Sequence, residues 1–126
     1  MAERNRQHPV MRVLIYAALF ALLATGLLWK LDMGRAVLMK IHGAAAMASM
    51  VLFGVLLARH VPCGWKTRGN RASGAALLAA SLWLVVSGYA LYYSGSEPLR
   101  AFASQTHFWI GVAFAALFGW HHGPTA

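Results

Sequence analysis

The chain is expected to be an all-α integral membrane protein, a four-helix bundle in up-down-up-down order, and three observations lead there. Hydrophobic residues fill 60% of its 126 positions and charged residues only 11%, where a water-soluble domain carries about a quarter. The charges are segregated, so that the stretches 13–29, 41–58, 72–96 and 101–122 contain none. Each approaches the ~20 residues that a helix needs to cross ~30 Å of hydrocarbon. The connections between them are short, which makes neighbouring helices antiparallel and leaves no length for an extramembrane domain. Helices are the expected element because every backbone polar group in lipid must be satisfied within its own segment.

The elements follow in order. The first helix is expected over about 13–30. Asp32 is expected to cap a second helix from Met33 to about residue 60. A third is expected over 73–94, and the fourth over 97–122, where Ser96 reads as an N-cap followed by Glu97 and a first-turn Pro98. Residues 1–126 are read as a single transmembrane domain. The charged start and apolar core of the first segment resemble a signal peptide. Its long apolar run and the lack of a clean small-residue cleavage site favour a retained anchor.

The net charge of +8 does not point to nucleic acid, because the basic residues sit in short segments around the apolar runs. Arg4, Arg6, Arg12, Arg59, Lys66, Arg68 and Arg71 fall on one side; Lys30, Arg35, Lys40 and Arg100 fall on the other, offset by Asp32 and Glu97. By the positive-inside rule both termini are expected in the cytoplasm, with the lipid bilayer as the chain's main surroundings. Cys63 is the single cysteine, so an internal disulfide and covalent haem attachment through CxxCH are both excluded.

Six histidines stand in this apolar chain, and an intramembrane imidazole is costly enough to imply a role. His8 lies in the basic N-terminal tail and reads as solvated. The other five lie only on the second and fourth helices. His42 and His60 are 18 residues apart, five full turns, and project from one face; His107 and His121 are 14 apart, about 40° short of four turns. The axial separations are about 27 Å and 21 Å, a mismatch that unequal helix tilt would absorb. His122 is the rival to His121, but lies about 60° past four turns from His107.

Helices two and four run parallel in this topology, so His42 with His107 and His60 with His121 form two cross-helix pairs at two depths. That is the arrangement bis-histidine ligation of two haems requires. Gly43 and the alanines after it, Gly111, Gly26 and Gly88 would give a macrocycle room, or serve plain helix packing. Arg35, Lys40 and Arg100 are candidate propionate partners on the outer side, and Arg59 and Arg71 on the inner, against a role as ordinary loop charge. The tryptophans and Tyr89, Tyr92 and Tyr93 read as interfacial belt or packing residues. A zinc site would need more convergent ligands than adjacent His121 and His122 offer, and a transporter would be expected to show mid-membrane carboxylates. The competing account of the histidines is interhelical hydrogen bonding. A faint internal echo is also visible, Thr25-Gly26 before His42 and Ser87-Gly88 before His107.

The arrangement resembles the four-helix di-haem core of membrane cytochromes b, including the cytochrome b561-like group and a small bacterial branch of it. The likeness rests on His60-Val-Pro-Cys-Gly-Trp65, Asn70-Arg-Ala-Ser-Gly74, Ser87-Gly-Tyr-Ala-Leu-Tyr-Tyr93, Glu97-Pro-Leu-Arg100, and His107 with Gly111 and His121. It covers most of the chain from His42 onward. The first helix lacks the ligand histidine of many bacterial members, and the 18-residue interval in the second exceeds the usual four-turn step. The resemblance implies two non-covalent b haems and a bacterial inner-membrane location. It implies electron transfer between quinone and a periplasmic redox partner, within a quinone-linked oxidoreductase. A homodimer is among the arrangements left open. A non-haem membrane adaptor subunit of a larger complex is the alternative.

Overall fold

A computed structural model describes residues 9–66 and 70–122, and every regular element among them is an α-helix: α1 (Pro9–Lys30), α2 (Arg35–Lys66), α3 (Arg71–Tyr93) and α4 (Glu97–His121). All four are long and apolar enough to cross a membrane, so the chain is an all-α, multi-pass membrane protein. Arg4, Arg6, His8 and Arg68, used above for orientation and for the tail, lie outside the described residues.

The helix ends show how local chemistry sets the spans. α1 is described from Pro9, so the charged Arg12 lies inside the helix, ahead of the apolar run that begins at residue 13. The start of α2 differs from expectation. Asp32 does not cap a helix at Met33. It takes a left-handed backbone, φ 60°, in the turn after α1, and its carboxylate pairs with Arg35 Nε at 2.6 Å. Gly34, also left-handed at φ 57°, supplies the carbonyl that accepts from Val37 and Leu38 and so opens α2.

α2 runs through Pro62 to Lys66, although proline cannot donate to the preceding turn. Its 32 residues span about 48 Å, well beyond the ~30 Å hydrocarbon layer. Its charged ends, Arg35 to Lys40 and Arg59 to Lys66, therefore extend past the uncharged stretch 41–58. α4 begins as its sequence dictates: the Ser96 side chain accepts from the Leu99 N–H, with Glu97 and Pro98 in the first turn.

The chain divides into two compact units, Met1–Pro62 and Cys63–Ala126, with the boundary at the proline inside α2. The first is the α1–α2 hairpin, in which Ile15 and Thr25 are buried and no α2 residue is. The second is the α3–α4 hairpin, where Leu77, Ser87 and Ala103 are buried and Trp83 packs edge-on against Phe102. Large apolar side chains point outward from both; Phe20 and Val51 are 74% and 69% exposed. Such surfaces suit lipid, where exposed aliphatic and aromatic groups cost nothing.

Candidate functional site

Three of the predicted histidines share one local arrangement. Thr25 Oγ1 lies 2.7 Å from His42 Nδ1, Ser87 Oγ lies 2.8 Å from His107 Nδ1, and Ser73 Oγ lies 2.8 Å from His121 Nδ1. Each of these three imidazoles stands on the second helix of its hairpin and meets a hydroxyl on the first. Thr25 and Ser87 are 6% and 2% exposed, so water does not compete for the first two bonds, while Ser73 is half-buried.

The direction of the bonds follows from the hydroxyls' other contacts. Thr25 Oγ1 is 2.6 Å from the Ala21 carbonyl, Ser87 Oγ 2.7 Å from that of Trp83, and Ser73 Oγ 3.1 Å from that of Asn70. A hydroxyl carries one proton and two lone pairs. A carbonyl can only accept, so the proton goes there in the usual helical back-bond. The hydroxyl must then accept from the ring, which makes Nδ1 the protonated nitrogen and puts the imidazole lone pair on Nε2. Both short contacts are hydrogen bonds only in this tautomer.

One register produces both pairs of the second hairpin. Ser73 precedes Ser87 by 14 residues and His121 follows His107 by 14, so antiparallel α3 and α4 bring the pairs to two levels about 21 Å apart. Gly111, one turn beyond His107, lies on the same contact line, where an added Cβ would be 3.8 Å from Leu84 Cδ2.

Each accepting hydroxyl is followed by glycine: Thr25-Gly26, Ser73-Gly74 and Ser87-Gly88. An added Cβ at Gly88 would stand 3.5 Å from His107 Cε1, and at Gly74 3.9 Å from His121 Cε1, whereas Gly26 faces open space. Gly88 and Gly74 therefore lie beside the imidazole edges themselves. Gly43 follows His42 and is half-buried.

The remaining candidates sit elsewhere. His60 is exposed on α2, two residues before Pro62. His122 is the exposed C-cap of α4; its Nδ1–H donates to the Phe118 carbonyl at 3.2 Å and its ring lies 4.3 Å from that of Phe118. His121 turns to α3 and His122 does not, which separates two residues that helical angle alone distinguishes only modestly. Arg35 is held at the first turn by Asp32 and by the Trp29 ring at 5.8 Å. Arg71 donates to the Trp65 carbonyl and lies 5.4 Å from the Trp65 ring. Lys40, Arg59 and Arg100 are exposed. A cleft of about 740 Å³ opens beside Ser73, walled by Asn70, Arg71, Ala76, Leu117 and Trp120.

Ser73 and the hydroxyls' role are what sequence reasoning missed. The signal was available: three hydroxyl–glycine dipeptides, two of them separated by the same 14 residues as the histidines they meet. Among the described residues no three His, Cys, Asp or Glu side chains group as a metal-ion site; a haem iron needs only two protein ligands. No family model, curated protein or solved structure matches this chain.

Proposed function

We propose that the protein is a di-haem b-type cytochrome that carries electrons within or across a membrane, His42 and His107 serving the outer iron and His60 and His121 the inner. The observation that supports this most is the hydroxyl oxygen 2.7–2.8 Å from Nδ1 of three imidazoles, which fits the Nδ1–H tautomer. An axial ligand needs a neutral ring whose other nitrogen is hydrogen-bonded, so that its orientation and donor strength are fixed. His42, His107 and His121 meet that description.

Other features fit the group as well. The donor set, imidazole without mid-membrane carboxylate or thiolate, suits haem iron better than a harder or softer metal. Ser49 Oγ is buried and lacks a hydrogen-bond partner among the described residues. It lies two turns from His42 on the same face as His60, and an orphaned hydroxyl there costs about 1–3 kcal/mol unless something else meets it. Gly88 leaves room at the edge of His107 and Gly26 meets open space, Gly43 adjoins His42 and Gly111 lies one turn after His107, and Arg35 and Arg100 supply positive charge at the outer turns for carboxylate groups. When bound, the haem supplies the one-electron redox chemistry. The chain supplies axial nitrogens, an apolar sheath and counter-charge. Quinone and a periplasmic redox protein are the partners this reading implies. The charge asymmetry supports cytoplasmic termini, and with them a bacterial inner membrane.

The same hydroxyl–imidazole bonds also favour a second reading, a non-haem adaptor in which they join helices. Intramembrane hydrogen bonds contribute about 0.6–2 kcal/mol each, enough to justify such residues. The test is the haem content of the detergent-purified protein after expression with ample haem. The cytochrome should show a Soret band, reduced α-bands and about two b haems per chain; a colourless preparation would sink the proposal in favour of the adaptor.

A further inference from the structure

We propose that Thr25, Ser87 and Ser73 are positioning residues, each fixing one iron-ligating imidazole and setting the donor strength of its Nε2. This deepens the di-haem reading and rests on it. Three features carry it. Each hydroxyl meets the same ring atom, Nδ1, although Nε2 extends farther from the backbone and is the easier atom for a neighbouring helix to reach. Each hydroxyl has its own proton committed to a carbonyl in its own helix, so it can act only as an acceptor toward the ring. Each is followed by a glycine, and at Gly88 and Gly74 the ring edge lies within 4 Å of where a Cβ would be. The first two recur in both hairpins and the glycine–ring contact in both pairs of α3–α4, a combination that a bond serving helix adhesion alone does not need.

The chemical consequence has a sign. An Nδ1–H that donates to oxygen gives the ring more electron density, which makes Nε2 a stronger σ-donor. A stronger donor favours ferric over ferrous iron, so each hydroxyl lowers the potential of the haem it serves. The hydroxyl's donation to a carbonyl makes its oxygen a better acceptor, and the two bonds reinforce each other. Loss of the hydroxyl weakens the donor, frees the ring to rotate and raises the potential.

The experiment uses the full chain, purified with its haem, as Ser87→Ala, Ser87→Thr, Ser73→Ala and Ser73→Thr. Redox titration followed at the α-bands gives the two midpoint potentials, and ¹⁵N-histidine NMR of the haem-free chain gives the tautomers. Ser87→Ala should move one potential upward and weaken retention of that haem about 10–100-fold. Ser73→Ala should do the same to the other haem, and each threonine variant should restore the parent. In the NMR spectrum each alanine variant should lose one Nδ1-protonated signal. Two haems bound with potentials and tautomers unmoved by either alanine would overturn this inference and leave the di-haem reading standing. A parent that binds no haem overturns both, whatever the tautomers show. Should Ser87→Ala fail to insert, Ser87→Cys, a poorer acceptor in the same volume, must give an intermediate upward shift; no shift counts against the proposal.

Discussion

The two hairpins use the same device to different extents. In α3–α4 two hydroxyl–imidazole pairs follow one register, Ser87 with His107 and Ser73 with His121. In α1–α2 one pair is present among the described residues, Thr25 with His42. The positions 14 residues away, where a second pair would fall, hold Met11 and Leu56. The first hairpin's other histidine stands one turn farther along, at exposed His60 among the charged end residues of α2. The difference teaches that the pair nearest the turn recurs in each hairpin, whereas a second pair, 14 residues away, is built only in α3–α4 among the described residues.

The largest effect should come from breaking the shared unit. His42→Ala and His107→Ala should each remove the same haem, halving the Soret absorbance. On the di-haem proposal the double variant should lose no more than either single, because the effects of two ligands to one iron are not additive. If the singles removed different haems, or the double lost both, the pairing of the two hairpins at this level would be wrong.

At the far level the contrast lies within α4. His121→Ala should lose the second haem, while His122→Ala should keep both, since His122 faces its own helix at Phe118. Haem counts by pyridine haemochrome decide between them. Loss of haem in His122→Ala with retention in His121→Ala would reverse the assignment.

Much of this organisation was legible in the residues, and the exceptions have physical causes. The four spans followed from segregated charge, and Ser96-Glu97-Pro98 marked the start of α4 because a cap needs only local atoms. Asp32 misled because the same residue type suits an N-cap and a left-handed turn, and the choice was made by Arg35, an ion-pair partner three residues on. α2 outran its expected end because Pro62 removes one hydrogen bond without ending a helix. At the site, helical angle placed His107 and His121 on one face. What they meet depended on the antiparallel register of α3 against α4, which no single helix encodes. The Thr25-Gly26 and Ser87-Gly88 echo showed the device without showing what it held.

A smaller effect should separate the glycines. Gly88→Ala adds a methyl 3.5 Å from His107 Cε1, ordinary van der Waals contact, whereas Gly26→Ala adds one to open space. Both should bind two haems, and both gain about 0.5–1 kcal/mol in helix propensity. Gly88→Ala alone should shift an α-band, by restricting the ring that Ser87 holds. An unmoved spectrum in Gly88→Ala would mean that this ring tolerates reorientation without electronic consequence.

The smallest difference lies in the two turns. Ser96 caps α4 through a long 3.5 Å contact to the Leu99 N–H, so Ser96→Ala should cost about 0.5–1 kcal/mol, the low end for a lost cap. In the first turn, Asp32→Gly removes an ion pair whose side chains are 59% and 73% exposed, worth about 0–1 kcal/mol. It also relieves a non-glycine residue at φ 60°, a cost of about 1 kcal/mol. The two terms nearly cancel, and Asp32→Gly should unfold close to the parent while Ser96→Ala unfolds earlier. Unfolding in mixed detergent micelles, followed by helical circular dichroism, measures both. If Asp32→Gly proved the more damaging of the two, the carboxylate would be holding Arg35 for more than the turn, and the positive charge at the outer end of α2 would gain weight as a partner for the outer haem's propionates.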